Sequence, residues 1–455
     1  MSVNVTDVLD KAKLNGFHIL VLALCALLIF LDGFDLQAIG FAAPMIAEAF
    51  HLTRPALAPI FTAAQFGYII GGLALGLLAD RWGRKPAFIL SGIIFGIGSI
   101  GTAFADSYSS LVAWRAFTGI GLGAATPVAV TIATDYCPKR LRVALTIIMY
   151  AAVAIGGVVG GAVSAYIATF GWKTVFYVGG TLPLLIAPIL FVALPESLNF
   201  LVSRGMHRTQ IARILKRIAP DRSFDPNDRY FMEEAYEKRF PVGALFRNGY
   251  APRSVLVWLL FFMSLTTLFF MTNWTPTLLN SLGVPPGRIV GMSAFAQLGA
   301  LLGAIACARL ILSFRAFVVA STGYLLAAVG LLTFGHVGSD FAALLVTYFS
   351  LSFFFYGVQN VTVAMTGRLY PPRIRGTGVG WGLGIGRTGG IVGPTIAGVL
   401  LALHLAPGQL FMLAAIPCAL AGLICATISA TVREGPAGEI EYPAIPETAT
   451  AAAEA

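Results

Sequence analysis

Asp32 and Asp35 stand three residues apart in an apolar run that begins near Phe17 and continues past Ala43. At 3.6 residues per turn, that spacing sets both carboxylates on one helical face. The run is long enough to cross a bilayer, for which about 20 apolar residues suffice, so both acids fall near mid-membrane. An ionisable side chain at that depth is costly and marks a path for substrate, ion or proton. The face carrying the two acids must look into protein or a watery cavity, because lipid would leave the charges unsolvated. A purely structural role, with Asp32 capping a helix break at Gly33, accounts for one acid and not for two. Arg387 is a third charge at comparable depth, in the second half of the chain. Its guanidinium binds a carboxylate as a bidentate fork, so it calls for an anionic ligand or for a buried pair with Asp32 or Asp35.

The elements that must hold these groups are membrane spans. The 455 residues are 57% hydrophobic and 11% charged, against about 25% charged in soluble proteins. Apolar runs bounded by charge or by Pro/Gly turns predict twelve spans, near 17–45, 55–79, 86–105, 109–133, 143–169, 174–194, 253–280, 289–312, 315–335, 341–367, 377–402 and 409–431. The expectation is an all-α membrane protein of two six-helix halves, 17–194 and 253–431. Outside the halves lie an N-terminal segment 1–16, a polar central segment 195–252, and an Ala/Pro/Glu-rich tail 432–455 expected to be disordered.

With the N-terminus inside, 25 of the 30 basic residues fall in inner segments. That is the positive-inside pattern and puts both termini in the cytoplasm. The net charge of +9 is thereby explained without nucleic acid. Of the cysteines, Cys25, Cys307, Cys418 and Cys425 lie in apolar runs, Cys137 does not, and no pair has metal-ligand spacing. No metal or cofactor is expected, nor an enzyme: there is no nucleophile–base constellation and no nucleotide-binding loop.

An internal repeat supports the six-plus-six layout. Pro138, Arg140 and Arg142 recur as Pro371, Arg373 and Arg375, and Gly156, Gly157 and Gly160 recur as Gly389, Gly390 and Gly393, all at an offset of 233. Within the central segment, Ile211, Ile214, Leu215 and Ile218 alternate with Arg208, Arg213, Lys216 and Arg217 at helical spacing. Such a basic amphipathic helix lies on the inner membrane surface, against anionic lipid, or is tucked beneath the bundle.

The run Gly76-Leu77-Leu78-Ala79-Asp80-Arg81-Trp82-Gly83-Arg84-Lys85 resembles the cytoplasmic loop signature of the major facilitator superfamily. The resemblance implies a charge latch that closes the inner gate, with Asp80 and Arg84 at the latch positions and Gly76, Arg81 and Gly83 in the same motif. The matching stretch of the second half, Gly303 to Leu310, is followed by Leu312 and Ser313 where an acid is expected. The second latch is therefore incomplete.

Four further places are similar to the aromatic acid:proton symporters of the 4-hydroxybenzoate/benzoate type: Asp32-Gly33-Phe34-Asp35 followed by Gln37-Ala38-Ile39-Gly40, Pro195-Glu196-Ser197, Asn273-Trp274-Thr275-Pro276, and Gly380-Trp381 through Gly386-Arg387. The resemblance implies import of an aromatic carboxylate with protons by alternating access, through a single chain in the bacterial inner membrane. Asp32 and Asp35 would carry the proton. Arg387 would hold the substrate, with Arg115 added because the wider superfamily has an arginine there; a snorkelling interfacial arginine is the competing reading. Phe34, Trp274, Tyr356 and Trp381 are candidate stacking rings. Gln37, Asn273 and Gln359 are candidate polar contacts, against which stands helix–helix hydrogen bonding. Symport of a sugar or of another organic acid, export, and sensing without transport are the alternatives.

Overall fold

A computed structural model describes residues 2–138, 141, 149, 151–153, 155–161, 163, 166, 170–205, 207–232, 242–246, 249–311, 313–338, 340–370 and 372–432. The chain divides into two compact units, Met1–Glu237 and Lys238–Ala455.

The first unit begins with a strand, β1 (Ser2–Asn4), and a short helix, α1 (Val5–Lys11). Its long helices are α2 (Gly16–Ala49), α3 (Leu57–Trp82), α4 (Arg84–Ala103) and α5 (Tyr108–Asp135). The shorter α6 (Ala151–Gly161) and the long α7 (Trp172–Ala193) follow. Two short helices, α8 (Leu198–Ser203) and α9 (Arg208–Ile218), and a second strand, β2 (Arg229–Phe231), complete the unit. The second unit contains α10 (Ala251–Ser281), α11 (Pro286–Leu310), α12 (Ala316–His336), α13 (Phe341–Thr366), α14 (Pro372–Ala402) and α15 (Pro407–Thr431). Among the described residues, eleven helices are long and apolar enough to cross a membrane. The expected fifth span, 143–169, lies partly outside the described residues, and α6 is its described core. The expected tail lies outside them from residue 433.

The two units pack their helices in the same pattern. In the first, α3 lies on α5, and α4 on α5 and α7; in the second, α11 lies on α13, and α12 on α13 and α15. The repeat seen in the sequence has a packing cause. A Cβ on Gly156 would overlap the backbone carbonyl of Phe30 on α2, and one on Gly389 would crowd that of Phe262 on α10. Each glycine lets its helix approach the first helix of its own unit closely. Gly33 does the same from the other side, facing the Val153 carbonyl on α6.

In the first unit α9 is tucked under the helices, the second of the two placements considered. Ile211, Ile214, Leu215 and Ile218 are buried in one cluster with Val5, Val8 and Leu9 of α1. Its apolar face is therefore taken, and Arg208, Arg213, Lys216 and Arg217 remain exposed. β1 pairs in parallel with β2, Ser2 opposite Arg229 and Asn4 opposite Phe231. Asn15 joins α2 to α9: its side chain accepts from the Phe17 and His18 backbone N–H groups, capping α2, and its amide donates to the Arg217 carbonyl at 2.8 Å.

Candidate functional site

Asp32 and Asp35 sit on the stretch of α2 that faces α5, and the structure gives each a different partner. Arg115, on the second turn of α5, grips Asp35 with both arms of its guanidinium: Nη1 to Oδ1 at 2.9 Å and Nη2 to Oδ2 at 2.8 Å. Both residues are sealed in, Arg115 at 1% exposure and Asp35 at 4%. The guanidinium also lies over the Phe176 ring of α7, 5.7 Å from its centroid. Arg115 thus turns inward to Asp35 and does not snorkel, the competing reading for it. The long arginine side chain lets a residue near the start of α5 reach a carboxylate deeper in the unit. Asp32, half-buried, accepts a hydrogen bond from Thr126 Oγ1 at 3.0 Å.

The neighbours of the two acids are fixed by packing. Phe34 is buried among Ala38 and Val175, with its ring against the Gly179 backbone. Gln37 is half-buried with its stem toward Gly157 on α6.

In the second unit, Arg387 lies half-buried at the centre of α14. Trp274 is fully buried and donates from Nε1 to the Pro394 carbonyl at 3.2 Å, so its ring serves the packing of α10 on α14. Asn273 beside it is also buried. Gln359 accepts from the Tyr324 hydroxyl at 2.7 Å, and that hydroxyl lies 3.2 Å from Thr362 Oγ1. This is the helix–helix role weighed for Gln359. Tyr356 is half-buried, and Trp381, 45% exposed, faces Trp258 at 6.3 Å between ring centroids. Because α5 and α13 start at 108 and 341, the offset of 233 puts Tyr348 where Arg115 stands and Gln359 where Thr126 stands. The second unit thus has neutral groups at the places where the first has its charge pair and its acid-holding hydroxyl.

The loop after α3 is organised by a residue whose role the sequence did not disclose. Glu196, just past α7, is buried and accepts from the backbone N–H groups of Arg84 at 2.9 Å, Lys85 at 3.2 Å and Ser197 at 2.8 Å. A carboxylate at the exposed N–H groups of α4 is favoured by the helix dipole. Its carboxylate fills the space where a side chain at Gly83 would stand, and Gly83 has φ +111°, a conformation that suits glycine. Burial pushes the Glu196 carboxyl above its ordinary range, while the three N–H bonds and the Arg84 charge pull it back. Asp135 extends the cluster by accepting from Ser197 Oγ and from Asn199 Nδ2 at 2.5 Å.

Of the loop motif itself, Arg84 is buried, Asp80 and Arg81 are exposed, and Arg204 donates to the carbonyls of both exposed residues at 3.3 Å. A Cβ at Gly76 would meet no heavy atom within 4 Å. The second unit makes the corresponding joint with opposite polarity: Arg315, capping α12, donates to the Ser429 and Val432 carbonyls at the end of α15, at 2.6 and 3.0 Å. All five cysteines are buried and none is in a disulfide. Among the described residues no group of three or more His, Cys, Asp or Glu is placed to hold a metal ion.

Comparison with known proteins bears on this arrangement. Residues 25–363 match the family model described as Major Facilitator Superfamily. The chain is 33% identical to the 4-hydroxybenzoate transporter PcaK of Acinetobacter baylyi over 93% of each protein. It is 34% identical to a gallate transporter of Pseudomonas putida, covering 96% of this chain and 97% of that one. It is 35% identical to a 3-(3-hydroxy-phenyl)propionate transporter of Escherichia coli, covering 84% and 87%. Its fold is similar to that of a bacterial homologue of the human lysosomal transporter Spinster, with TM-score 0.70 at 18% identity over 92% of this chain and 98% of the other. It is likewise similar to a D-xylose–proton symporter, with TM-score 0.70 at 17% identity over 90% and 97%. With two units of apolar helices packed in the same pattern and a charge pair buried within the first, the chain belongs to the Major Facilitator Superfamily and is a multi-pass membrane transporter, not an enzyme.

Proposed function

We propose that this transporter imports an aromatic carboxylate of the benzoate or hydroxybenzoate class together with protons, by alternating access, as a single chain in the bacterial inner membrane with both termini in the cytoplasm. The observation that carries the reading is the buried Asp35–Arg115 fork. A substrate carboxylate presents the same two acceptor oxygens as Asp35, so it can replace Asp35 on Arg115. The displaced aspartate then has no counter-charge in a buried place and is neutralised by taking a proton from the outer side. On the cytoplasmic side the order reverses: the acid leaves, Asp35 gives up its proton and closes again on Arg115. Charge is balanced at each stage, since one anion and one proton enter together. Asp32 provides a second protonatable carboxylate one turn away, and Arg387 a second cation for the acid.

The aromatic class is supported by the Phe176 face at the guanidinium and by relatives named for 4-hydroxybenzoate and gallate. The half-exposed rings of Tyr356 and Trp381 are the remaining stacking candidates. Asp80 and Arg84, with Glu196 behind them, form the inner gate, and the exposed basic face of α9 meets anionic lipid of the inner leaflet.

The test is counterflow of labelled 4-hydroxybenzoate in proteoliposomes, with and without an imposed pH gradient. Asp35→Asn and Asp32→Asn should lose gradient-driven accumulation while at least one still exchanges substrate. Arg387→Lys should fail nearly as badly as Arg387→Ala, because a lysine keeps the charge and loses the fork. Full gradient-driven uptake in both asparagine variants would overturn proton coupling, and wild-type affinity in Arg387→Ala would remove that residue from the site.

A further inference from the structure

We propose that Gln65 on α3 recognises the ring hydroxyl of a hydroxylated aromatic acid whose carboxylate is held by Arg115. This rests on the aromatic-acid reading above and adds to it the group that separates a hydroxybenzoate from benzoate. Gln65 is buried, at 7% exposure, and its Oε1 has no hydrogen-bond partner among the described residues. Sealing a carbonyl oxygen away from water without a donor is costly, and such groups are few in folded proteins. Inside a membrane span a glutamine commonly bonds to a neighbouring helix, as Gln359 does by accepting from Tyr324 on α12. The Gln65 oxygen makes no such bond among the described residues. Arg115 is also incompletely used. Both of its Nη groups are on Asp35, while Nε, in a side chain sealed from solvent, has no acceptor. One buried acceptor and one buried donor are thus unmet in the same unit.

The packing of α3 on α5 turns these two side chains the same way. A Cβ on Gly67 would overlap the Ala116 carbonyl, and one on Gly71 the Ile120 carbonyl. From the other helix, a Cβ on Gly119 would overlap the Ala64 carbonyl, and one on Gly123 the Tyr68 carbonyl. The contacts advance together along both helices, so α3 and α5 run parallel and close, with Ala64 and Ala116 in the seam. Gln65 comes one residue after Ala64, and Arg115 one residue before Ala116. Each residue turns a helix by about 100°, and in a parallel pair equal and opposite offsets from the seam lead to the same flank. That flank is the α2 side, because Arg115 reaches Asp35 across it. With Ala64 against Gly119 and Gly67 against Ala116, Gln65 and Arg115 are level to within about one turn. An acid whose carboxylate sits on the Arg115 guanidinium has its ring on this flank, where the Gln65 amide is the neutral group that can take a hydroxyl. A hydroxyl both donates and accepts, so it matches either end of an amide. Arg115 reads the charge that every aromatic acid carries. A site that also bonds a hydroxyl rejects the analogue lacking it, because its own polar group is then left unmet.

The experiment is equilibrium binding of labelled benzoate and labelled 4-hydroxybenzoate to the purified full-length protein. The wild type should bind 4-hydroxybenzoate the more tightly. Gln65→Met keeps the length of the side chain and removes the amide. It should lower the ratio of the two affinities by about 10–100-fold, the cost of leaving a buried hydroxyl unmet. Gln65→Leu should do the same, and it carries the test if the methionine variant does not fold. A ratio that stays at the wild-type value would overturn the role of Gln65. So would an equal loss of both acids in a variant that melts as the wild type does, since Gln65 would then serve packing alone. A wild type that binds neither acid would overturn the aromatic-acid reading itself, and the role of Gln65 with it. A wild type that binds both acids, with variants that keep its ratio, would overturn the role of Gln65 and leave that reading standing.

Discussion

Removing one partner of the Asp35–Arg115 pair should cost far more than removing both. Asp35→Asn leaves a guanidinium that is 1% exposed without its counter-charge, and stranding one member of a buried pair costs about 3–5 kcal/mol. Arg115→Gln strands the carboxylate at a similar cost. The first unit spans Met1–Glu237; at that size each kcal/mol moves a melting temperature by about 2 °C, so each single change should lower it by about 6–10 °C. The double variant Asp35→Asn, Arg115→Gln puts two neutral amides where the charges stood and strands neither. It should melt above both single variants, giving a coupling of at least about 2 kcal/mol in a double-mutant cycle. The assay is tryptophan fluorescence of the purified protein during heating in detergent, at one pH and one salt concentration. Additive effects, with the double variant falling by the sum of the singles to within about 0.5 kcal/mol, would mean that the two residues do not hold each other and would refute the pair as the centre of the site.

Two other outcomes can be checked with less labour. Because burial holds the Glu196 carboxyl above its ordinary value of 4.5, the folded protein binds that proton more tightly than the unfolded chain does. Its contribution to stability is greatest at low pH and is lost as pH rises from the ordinary value through the raised one. Glu196→Gln should remove that slope above the ordinary carboxylate range while still accepting the N–H bonds. Glu196→Ala should cost about 1–3 kcal/mol by leaving the Arg84, Lys85 and Ser197 donors unmet; an unchanged slope in the glutamine variant would speak against the assignment. For orientation, a cysteine placed at Ser109 should react with an impermeant maleimide from outside, and ones at Ser203 and Ser223 only after the membrane is opened. The five native cysteines are buried and give little background, and the opposite labelling pattern would invert the topology.

The helices were legible because a span is written locally. Expected bounds of 17–45 and 341–367 became Gly16–Ala49 and Phe341–Thr366, since apolar length and flanking charge decide where a helix enters and leaves lipid. Partners were not legible, because nothing in the spacing around Arg115 says which span lies beside it. Its position one residue after Trp114 suggests an interface, and only the packing of α2 on α5 shows that the side chain runs inward to Asp35. The apolar stripe of α9 was readable, but what covers it was not. The signal was present in Val5, Val8 and Leu9, which follow a helical spacing in a segment taken as a plain cytoplasmic end. Trp274 looked like a stacking ring by its motif, yet its indole N–H is taken up by the Pro394 carbonyl. Glu196 was visible only as part of a short Pro-Glu-Ser run, and its importance comes from the two N–H groups that reach it from a loop over a hundred residues earlier, beside that of the adjacent Ser197.

The pairing of Ser2–Asn4 with Arg229–Phe231 sets an order on biosynthesis. The strand made first has to wait for the strand made almost last in its unit. No hydrogen bond between them can form until the ribosome has extruded Arg229, by which time every helix of the first unit has been synthesised. Domains generally fold as units during synthesis, the N-terminal one first. Here the closing of a three-residue ladder marks the moment when the first unit is complete and the second, beginning at Lys238, has yet to emerge.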